Sequence, residues 1–298
     1  MEIIREQEFE KLAKLSNPLL CNAFIDSLDK KLACERQKNN VDNLDNILIK
    51  KADFLRRSGQ LGKAKSIYSL LDKSTQNPQQ DAQALHIGSI VDKDGYNTMP
   101  AFILDNLFST TDTAALLKHV ADKQTSFKLA GYGYNSTEHN ENARKTHFLA
   151  INSDFKALFN DFINSNIDKI RNALNIPSFT IESIEIKLTN HIDGGFFQVH
   201  SDNSALFGEQ TTRVISWIYY FHEQPKQFSG GELYAFDTNL DSREYNPNSF
   251  TKITPNHNRF VAFPSCYYHC VAPTNVPSKQ FMHGRMAVVG HIHFSERT

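Results

Sequence analysis

The chain has 298 residues, a formal net charge of −1, 40% hydrophobic and 22% charged residues, a composition with room for one large globular domain and a small one. The near-zero charge argues against nucleic acid or a membrane surface as an electrostatic partner, and residues 1–85, with 14 Lys+Arg against 12 Asp+Glu, form no basic arm. No apolar run approaches the roughly 20 residues of a membrane helix, the opening MEIIREQEFEKL lacks a signal core, and four cysteines (Cys21, Cys34, Cys266, Cys270) are too few for a disulfide scaffold; the expectation is a reducing cytoplasm.

All 12 histidines and 11 of the 13 glycines lie at or after His86, which divides the chain into a region 1–85 and a region 86–298. The first reads as helical. Ile3, Ile4, Phe9 and Leu12, then Leu19, Leu20, Phe24, Ile25 and Leu28, then Leu44, Ile47, Leu48, Phe54 and Leu55, and finally Ile67, Leu70 and Leu71 recur at helical spacing. Breaks are expected at Asn17-Pro18 and over Gln37–Asn43, and the polar run Ser74–Gln83 reads as a linker. Within this region Ala52 to Gly59, followed by Ala64, Tyr68 and Leu71, resembles the middle and second helix of one tetratricopeptide repeat, with the glycine in the inter-helix turn. The alternative is a plain helical hairpin packed on the main domain.

The second region reads as strands with helical inserts. Pro100–Asp105 is an expected entry strand, Ser109-Thr110-Thr111-Asp112 caps a helix through Leu116, Leu117 and Val120, and Phe155 to Leu174 is amphipathic. From Ile181 onward, short runs rich in β-branched and aromatic residues follow one another: Ile181–Thr189, Phe196–Val199, Val214–Phe221, Glu232–Phe236, Arg259–Phe263, His269–Ala272 and Met286–Phe294. About seven short strands at this spacing predict a sandwich or jelly roll backed by the preceding helices.

The informative stretch is Gly194-Gly195-Phe196-Phe197-Gln198-Val199-His200-Ser201-Asp202. On a strand, residues i and i+2 share a face, so His200 and Asp202 are expected side by side. Two histidines and one carboxylate make the set that holds ferrous iron with open positions, and His269, 67 residues after Asp202, is the candidate third ligand. A zinc site drawn from Cys266, His269, Cys270, His291 and His293 is the alternative metal reading.

These residues keep company with Arg213–Phe221, Phe228-Ser229-Gly230-Gly231-Glu232-Leu233, Arg259–Ser265, His269-Cys270-Val271-Ala272-Pro273 and Gly284-Arg285-Met286-Ala287-Val288. In that order the segments, from Pro100 to Phe294, resemble the iron- and 2-oxoglutarate-dependent dioxygenases, nearest their prolyl-hydroxylase branch. The resemblance implies an α+β fold, a double-stranded β-helix (jelly roll) with flanking helices beside the N-terminal helical region. It implies that His200, Asp202 and His269 ligate Fe(II), that Arg285 pairs with the distal carboxylate of 2-oxoglutarate, that the Tyr220 hydroxyl reaches the same carboxylate, and that Ser216, four residues earlier on that strand, lines the pocket. Cofactors implied are Fe(II), 2-oxoglutarate and O₂, with ascorbate as an optional addition. The retained aspartate favours hydroxylation over halogenation.

Two departures from the family pattern stand out. The tyrosine often found nine or ten residues before the first ligand is replaced by His191 and Asn190, either a candidate for its hydrogen bond to the cosubstrate. His269 and Arg285 are 16 residues apart, and the extra loop Thr274–His283 is expected near the pocket mouth. Arg243 and Arg297 are rival carboxylate partners. The expected activity is hydroxylation of a protein or peptide side chain such as proline. Alternatives are a free amino acid or small metabolite as substrate, repair of alkylated nucleic acid, or a helical adaptor with a degenerate oxygenase domain.

Overall fold

The computed structural model describes residues 2–37, 41–71, 84–87, 91–131, 140, 142–203 and 212–295. Four helices come first: α1 (Glu2–Leu15), α2 (Pro18–Gln37), α3 (Val41–Arg57) and α4 (Leu61–Leu71). The break at Asn17-Pro18 falls where proline starts α2; the expected linker Ser74–Gln83 lies outside the described residues. Gly59, at φ 79°, makes the short turn between α3 and α4, a left-handed conformation that glycine adopts without a Cβ clash.

The rest of the chain alternates strands with two helices: β1 (Ala84–Ile87), β2 (Ala101–Asp105), α5 (Thr110–Lys123), β3 (Lys128–Leu129), β4 (Arg144–Lys145), β5 (His147–Ala150), α6 (Ser153–Ala173), β6 (Ile181–His191), β7 (Phe196–His200), β8 (Arg213–Phe221), β9 (Ser229–Gly230), β10 (Leu233–Asn239), β11 (Glu244–Ile253), β12 (Arg259–Pro264), β13 (His269–Val271), β14 (Thr274–Asn275) and β15 (Arg285–Phe294). The composition boundary at residues 85–86 falls inside β1. Ser109 caps α5 by accepting from the Asp112 amide, and Asn152 caps α6 by accepting from that of Phe155. Among the described residues no helix is long and apolar enough to cross a membrane.

Eight strands form one antiparallel sheet in the order β1-β2-β12-β8-β15-β6-β5-β3, and five form a second in the order β11-β10-β13-β7-β4. The alternation along β8 shows how they share cores. Ile215, Trp217, Tyr219 and Phe221 pack outward against α5 and α6. Ile218 and Tyr220 point inward, into one cluster with Leu233, Ala235 and Val271 of the smaller sheet. That interior cluster continues into Ala52, Leu55, Leu61, Ala64, Ile67 and Tyr68, so α3 and α4 share a core with both sheets. On the far face of the smaller sheet, Leu12 and Phe9 of α1 cover Tyr234, Phe236, Phe250 and Cys270.

One buried ion cluster fastens α3 to the smaller sheet. Arg56, 3% exposed, donates to both Asp237 oxygens at 2.7 and 2.6 Å, to Asp53 at 2.7 Å and to Ser249 Oγ at 2.8 Å. Burial by itself would lower the arginine's pKa; Asp237, Tyr68 and Asp53 outweigh it and hold the pKa above its ordinary value.

Candidate active site between the sheets

The register of β7 with β13 pairs His200 directly with His269, two residues far apart in the chain. Asp202 arrives differently from the sequence expectation. β7 ends at His200, and Asp202 lies in the bend that follows rather than one pleat further along a strand. The bend is anchored on both sides: the Asn203 amide donates to the Ser265 carbonyl at 3.0 Å, the Asn203 side chain to the Arg213 carbonyl at 2.7 Å, and Ser201 Oγ to the Ser265 carbonyl at 3.1 Å.

His200 Nδ1 lies 2.9 Å from its strand neighbour's carbonyl at Gln198, and His269 Nδ1 3.1 Å from that of Tyr267. A carbonyl only accepts, so each ring carries a proton on Nδ1 and turns Nε2 toward the site. The two Nε2 atoms each stand 3.4 Å from an Asp202 oxygen, His200 from Oδ1 and His269 from Oδ2, and one ligand atom from each residue falls within 4.8 Å of the others. Burial, and next to it the neighbouring His200 ring, lower the His269 pKa to about 4. The ring is therefore neutral at pH 7, and its approach to Asp202 is no ion pair. Burial would raise the Asp202 pKa, but His269, His291 and His200 around it hold it well below the usual carboxylate range. Two imidazoles and a carboxylate converging on one point form a donor set suited to a divalent ion of the iron class, with other positions left open.

Behind Asp202, Ser216 Oγ donates to Oδ2 at 2.7 Å and also contacts Ser265 Oγ at 2.9 Å and His291 Nδ1 at 3.2 Å. The sequence reading set Ser216 on one face of β8 with Tyr220; the structure has it touching the carboxylate ligand. The support from His291 and Ser265 was not foreseen.

Four residues along the same face of β8, about 13 Å by strand rise, is a second polar centre. Arg285, the first residue of β15, is 1% exposed. Its Nε donates to the Gly231 carbonyl at 2.6 Å, and its terminal nitrogens meet His191 Nδ1 and the Tyr220 hydroxyl, both at 3.3 Å. Among the described residues no carboxylate pairs with it; burial lowers its pKa, with Tyr220 opposing. Because arginine only donates, Tyr220 accepts from Arg285 and keeps its own proton to give. His191 Nδ1 likewise accepts, so its Nε2–H donates to Thr146 Oγ1 at 2.9 Å. Burial, then Arg285 and Arg144, push the His191 pKa well down. His191 thus sits at the Arg285 centre, while Asn190 faces the other way and donates to the Phe281 carbonyl at 2.8 Å. Thr274 Oγ1, missed in the sequence, is buried there without a hydrogen-bond partner. Gly231 makes room: a Cβ would stand 2.6 Å from Arg285 Cδ and 3.1 Å from that oxygen. An unpaired buried guanidinium, a hydroxyl proton to spare and an orphaned threonine fit a dicarboxylate such as 2-oxoglutarate.

The rival readings separate. Arg243 is exposed and far along the β10–β11 turn, and Arg297 lies outside the described residues. No cysteine joins the metal-capable group: Cys266 is exposed, and Cys270 is buried under α1. The Thr274–His283 loop is tied to the site's rim through Asp193, whose Oδ1 accepts from the Val276 amide at 2.9 Å.

Residues 186–293 match the family model described as the 2OG-Fe(II) oxygenase superfamily. An uncharacterized PKHD-type hydroxylase from Synechocystis sp. is 30% identical over 193 residues, which cover 63% of this chain and 61% of that protein; the chain thus spans about three fifths of this relative's length. Among solved structures, a Pseudomonas putida prolyl-4-hydroxylase is similar at 17% identity and TM-score 0.48, over 65% of this chain and 92% of that one. A Trichoplax adhaerens prolyl hydroxylase, solved with a hypoxia inducible factor peptide fragment, gives the same identity and TM-score over 65% and 83%.

Proposed function

Residues 186–293 belong to the 2OG-Fe(II) oxygenase superfamily, and from that premise we propose that this protein is an Fe(II)- and 2-oxoglutarate-dependent hydroxylase. In this reading the two sheets are its double-stranded β-helix, residues 86–298 its oxygenase domain and residues 1–85 a helical attachment. The observation that carries it is the pairing of two incomplete sites along one face of β8: a His200–Asp202–His269 donor set and, four residues away, the Arg285 cation without a carboxylate.

His200, Asp202 and His269 hold the metal, each imidazole through Nε2 with its Nδ1 proton given to a backbone carbonyl. Arg285 and the Tyr220 hydroxyl take the distal carboxylate of 2-oxoglutarate, His191 orients the guanidinium, and Ser216 fixes the Asp202 carboxylate. When bound, iron and 2-oxoglutarate supply the activation of O₂, with succinate and CO₂ released as a substrate C–H becomes C–OH. Phe197 stacks on the His200 ring at 3.7 Å and Phe263 meets the His269 ring at 4.8 Å, so both ligand imidazoles are backed by an aromatic ring.

The substrate class is a protein or peptide side chain, proline foremost, acted on in the cytoplasm. Support comes from the prolyl-hydroxylase look of the motifs and from a helical region larger than the sheets need for cover. The test is succinate release from 2-oxoglutarate with Fe(II) present, measured beside Mn(II) titration of the protein. Parent protein is expected to bind the metal and release succinate, and the His200→Ala/Asp202→Ala variant to do neither. Equal metal affinity in the two proteins would sink the assignment.

A further inference from the structure

Arg144 is a cation that the proposed loaded site leaves over. It is one of two residues of β4, set opposite Phe197 by the register with β7. Its guanidinium lies over the Phe197 ring, 4.5 Å from the centroid, and the same ring stacks on the His200 imidazole at 3.7 Å. One aromatic ring therefore separates Arg144 from a metal ligand. Nε is buried without a hydrogen-bond partner, and among the described residues the guanidinium makes no ion pair with any carboxylate. Its neighbour Lys145 does not share this role, because Nζ turns to the Asp193 carbonyl at 3.2 Å.

The charges make this cation conspicuous. Iron(II) and Arg285 would be balanced by 2-oxoglutarate and Asp202. The loaded site is then neutral before Arg144 is counted. Burial lowers the Arg144 pKa to about 10, with Asp202 the charge that opposes the fall, so the guanidinium stays protonated at neutral pH. A partly buried cation with no carboxylate paired to it among the described residues carries a desolvation cost, and a chain that needed only packing over Phe197 could place an apolar residue there. A guanidinium seated over a ring is limited in position and still carries the fork of donors that takes a carboxylate two-pronged.

We propose that Arg144 binds a carboxylate carried by the substrate, so that the group hydroxylated belongs to an acid: a free amino acid held by its α-carboxylate, or a peptide held by an acidic side chain. This inference rests on the hydroxylase reading and narrows its substrate class. It also accounts for the position of Arg144 over the Phe197 ring that stacks on His200.

The test compares acids with their amides on the iron- and 2-oxoglutarate-loaded protein. The probes are free L-amino acids, each beside its amide, and blocked tripeptides containing Pro-Glu or Pro-Asp, each beside its Gln or Asn counterpart. Succinate release above the no-probe level and a one-oxygen mass gain on the probe are read. Titration calorimetry under nitrogen, with manganese(II) in place of iron, gives the same comparison as affinities without turnover. Acids are expected to exceed amides about tenfold or more, the strength of a charge-assisted pair, and the responding set, amino acids or peptides, identifies the carrier. Arg144→Gln should bring the acid-to-amide ratio close to one, and Arg144→Lys should retain part of it. A parent ratio of one overturns the proposal, as does an unchanged ratio in Arg144→Gln. So does the failure of every acid to raise succinate release or to bind while release without a probe persists. If iron and 2-oxoglutarate give no succinate at all, the hydroxylase reading falls instead.

Discussion

Arg56 and Arg285 are buried alike, at 3% and 1% exposure, and their surroundings are opposite. Arg56 lies at the seam of α3 with the smaller sheet, and its two terminal nitrogens are met by groups from its own chain: both oxygens of Asp237, one of Asp53, and Ser249. Arg285 lies between the sheets and meets a carbonyl, a phenol and an imidazole nitrogen, none of them charged. The pKa directions follow, raised for Arg56 and lowered for Arg285. Burial of a charge is thus no sign of function by itself. A cation whose counter-ion is within the fold holds the fold together, and a cation without one is waiting for a ligand.

The comparison breaks most readily at Asp237. Asp237→Ala leaves the buried Arg56 with Asp53 as its one carboxylate partner among the described residues, and loss of one partner of a buried pair costs about 3–5 kcal/mol. Thermal or urea unfolding should show that loss, while Arg56→Met combined with Asp237→Leu should recover much of it. Arg285→Ala should behave the other way. Its stability should change little, because no ion pair is broken, whereas the 2-oxoglutarate requirement should rise about ten- to a hundredfold as a charge-assisted pair is lost with Mn(II) affinity retained. A melting curve lowered as far as that of Asp237→Ala, with an unchanged 2-oxoglutarate KM, would make Arg285 a second structural arginine.

Acid sharpens the contrast further. The His269 pKa is lowered to about 4 in the folded protein against about 6.5 in an unfolded chain. Below pH 6.5 the unfolded state therefore takes a proton that the folded state refuses, and stability falls as pH drops from about 6.5 to about 4. Above pH 6.5 this residue contributes no slope. The Asp202 carboxyl, held low in the fold, adds a further loss below the ordinary carboxylate pKa, in the same direction. Melts of metal-free protein at pH 7.5 and 5 should differ by a few kcal/mol at most, and His269→Gln should flatten part of that slope.

Much of this was legible in the sequence because it depends on local pattern. The helix start at Ser109 carries a capping side chain, and the strands β6, β8, β12 and β15 are apolar enough to be read as runs. β11 was not read. Its sequence EYNPNSFTKI buries only Phe250, Thr251 and Ile253, it forms the edge of its sheet, and Pro247 falls in the gap where pairing with β10 shifts between Phe236 and Thr238, as a proline in an edge strand can. The ligand set was readable because three residue types carry it, though Asp202 reaches it through a bend that only the tertiary anchors at Ser265 and Arg213 explain. Arg144 gave no signal at all. A basic pair in a two-residue strand looks like solvated surface until β7 is seen beside it.

The same limit applied to Ser216, whose place on the Tyr220 face was visible but whose partner was not, and it gives the smallest effect expected. Ser216 has one proton, and at 2.7 Å it goes to Asp202 Oδ2. The hydroxyl must then accept from Ser265 at 2.9 Å and from His291 Nδ1 at 3.2 Å, which fixes the proton of His291 on Nδ1. The carboxylate is thereby held in one rotamer before any metal arrives, as residues behind metal ligands commonly do. Ser216→Ala should weaken Mn(II) binding by about tenfold, the worth of one hydrogen bond to a charged group, and should leave the 2-oxoglutarate KM at saturating metal unchanged. Ser216→Thr, which keeps the hydroxyl, should restore most of the affinity. The visible spectrum of the Co(II)-loaded protein should shift in the alanine variant and return in the threonine one. If alanine and threonine lower metal affinity equally with the parent spectrum intact, Ser216 serves packing between β8 and β12 and belongs with the structural side of the comparison.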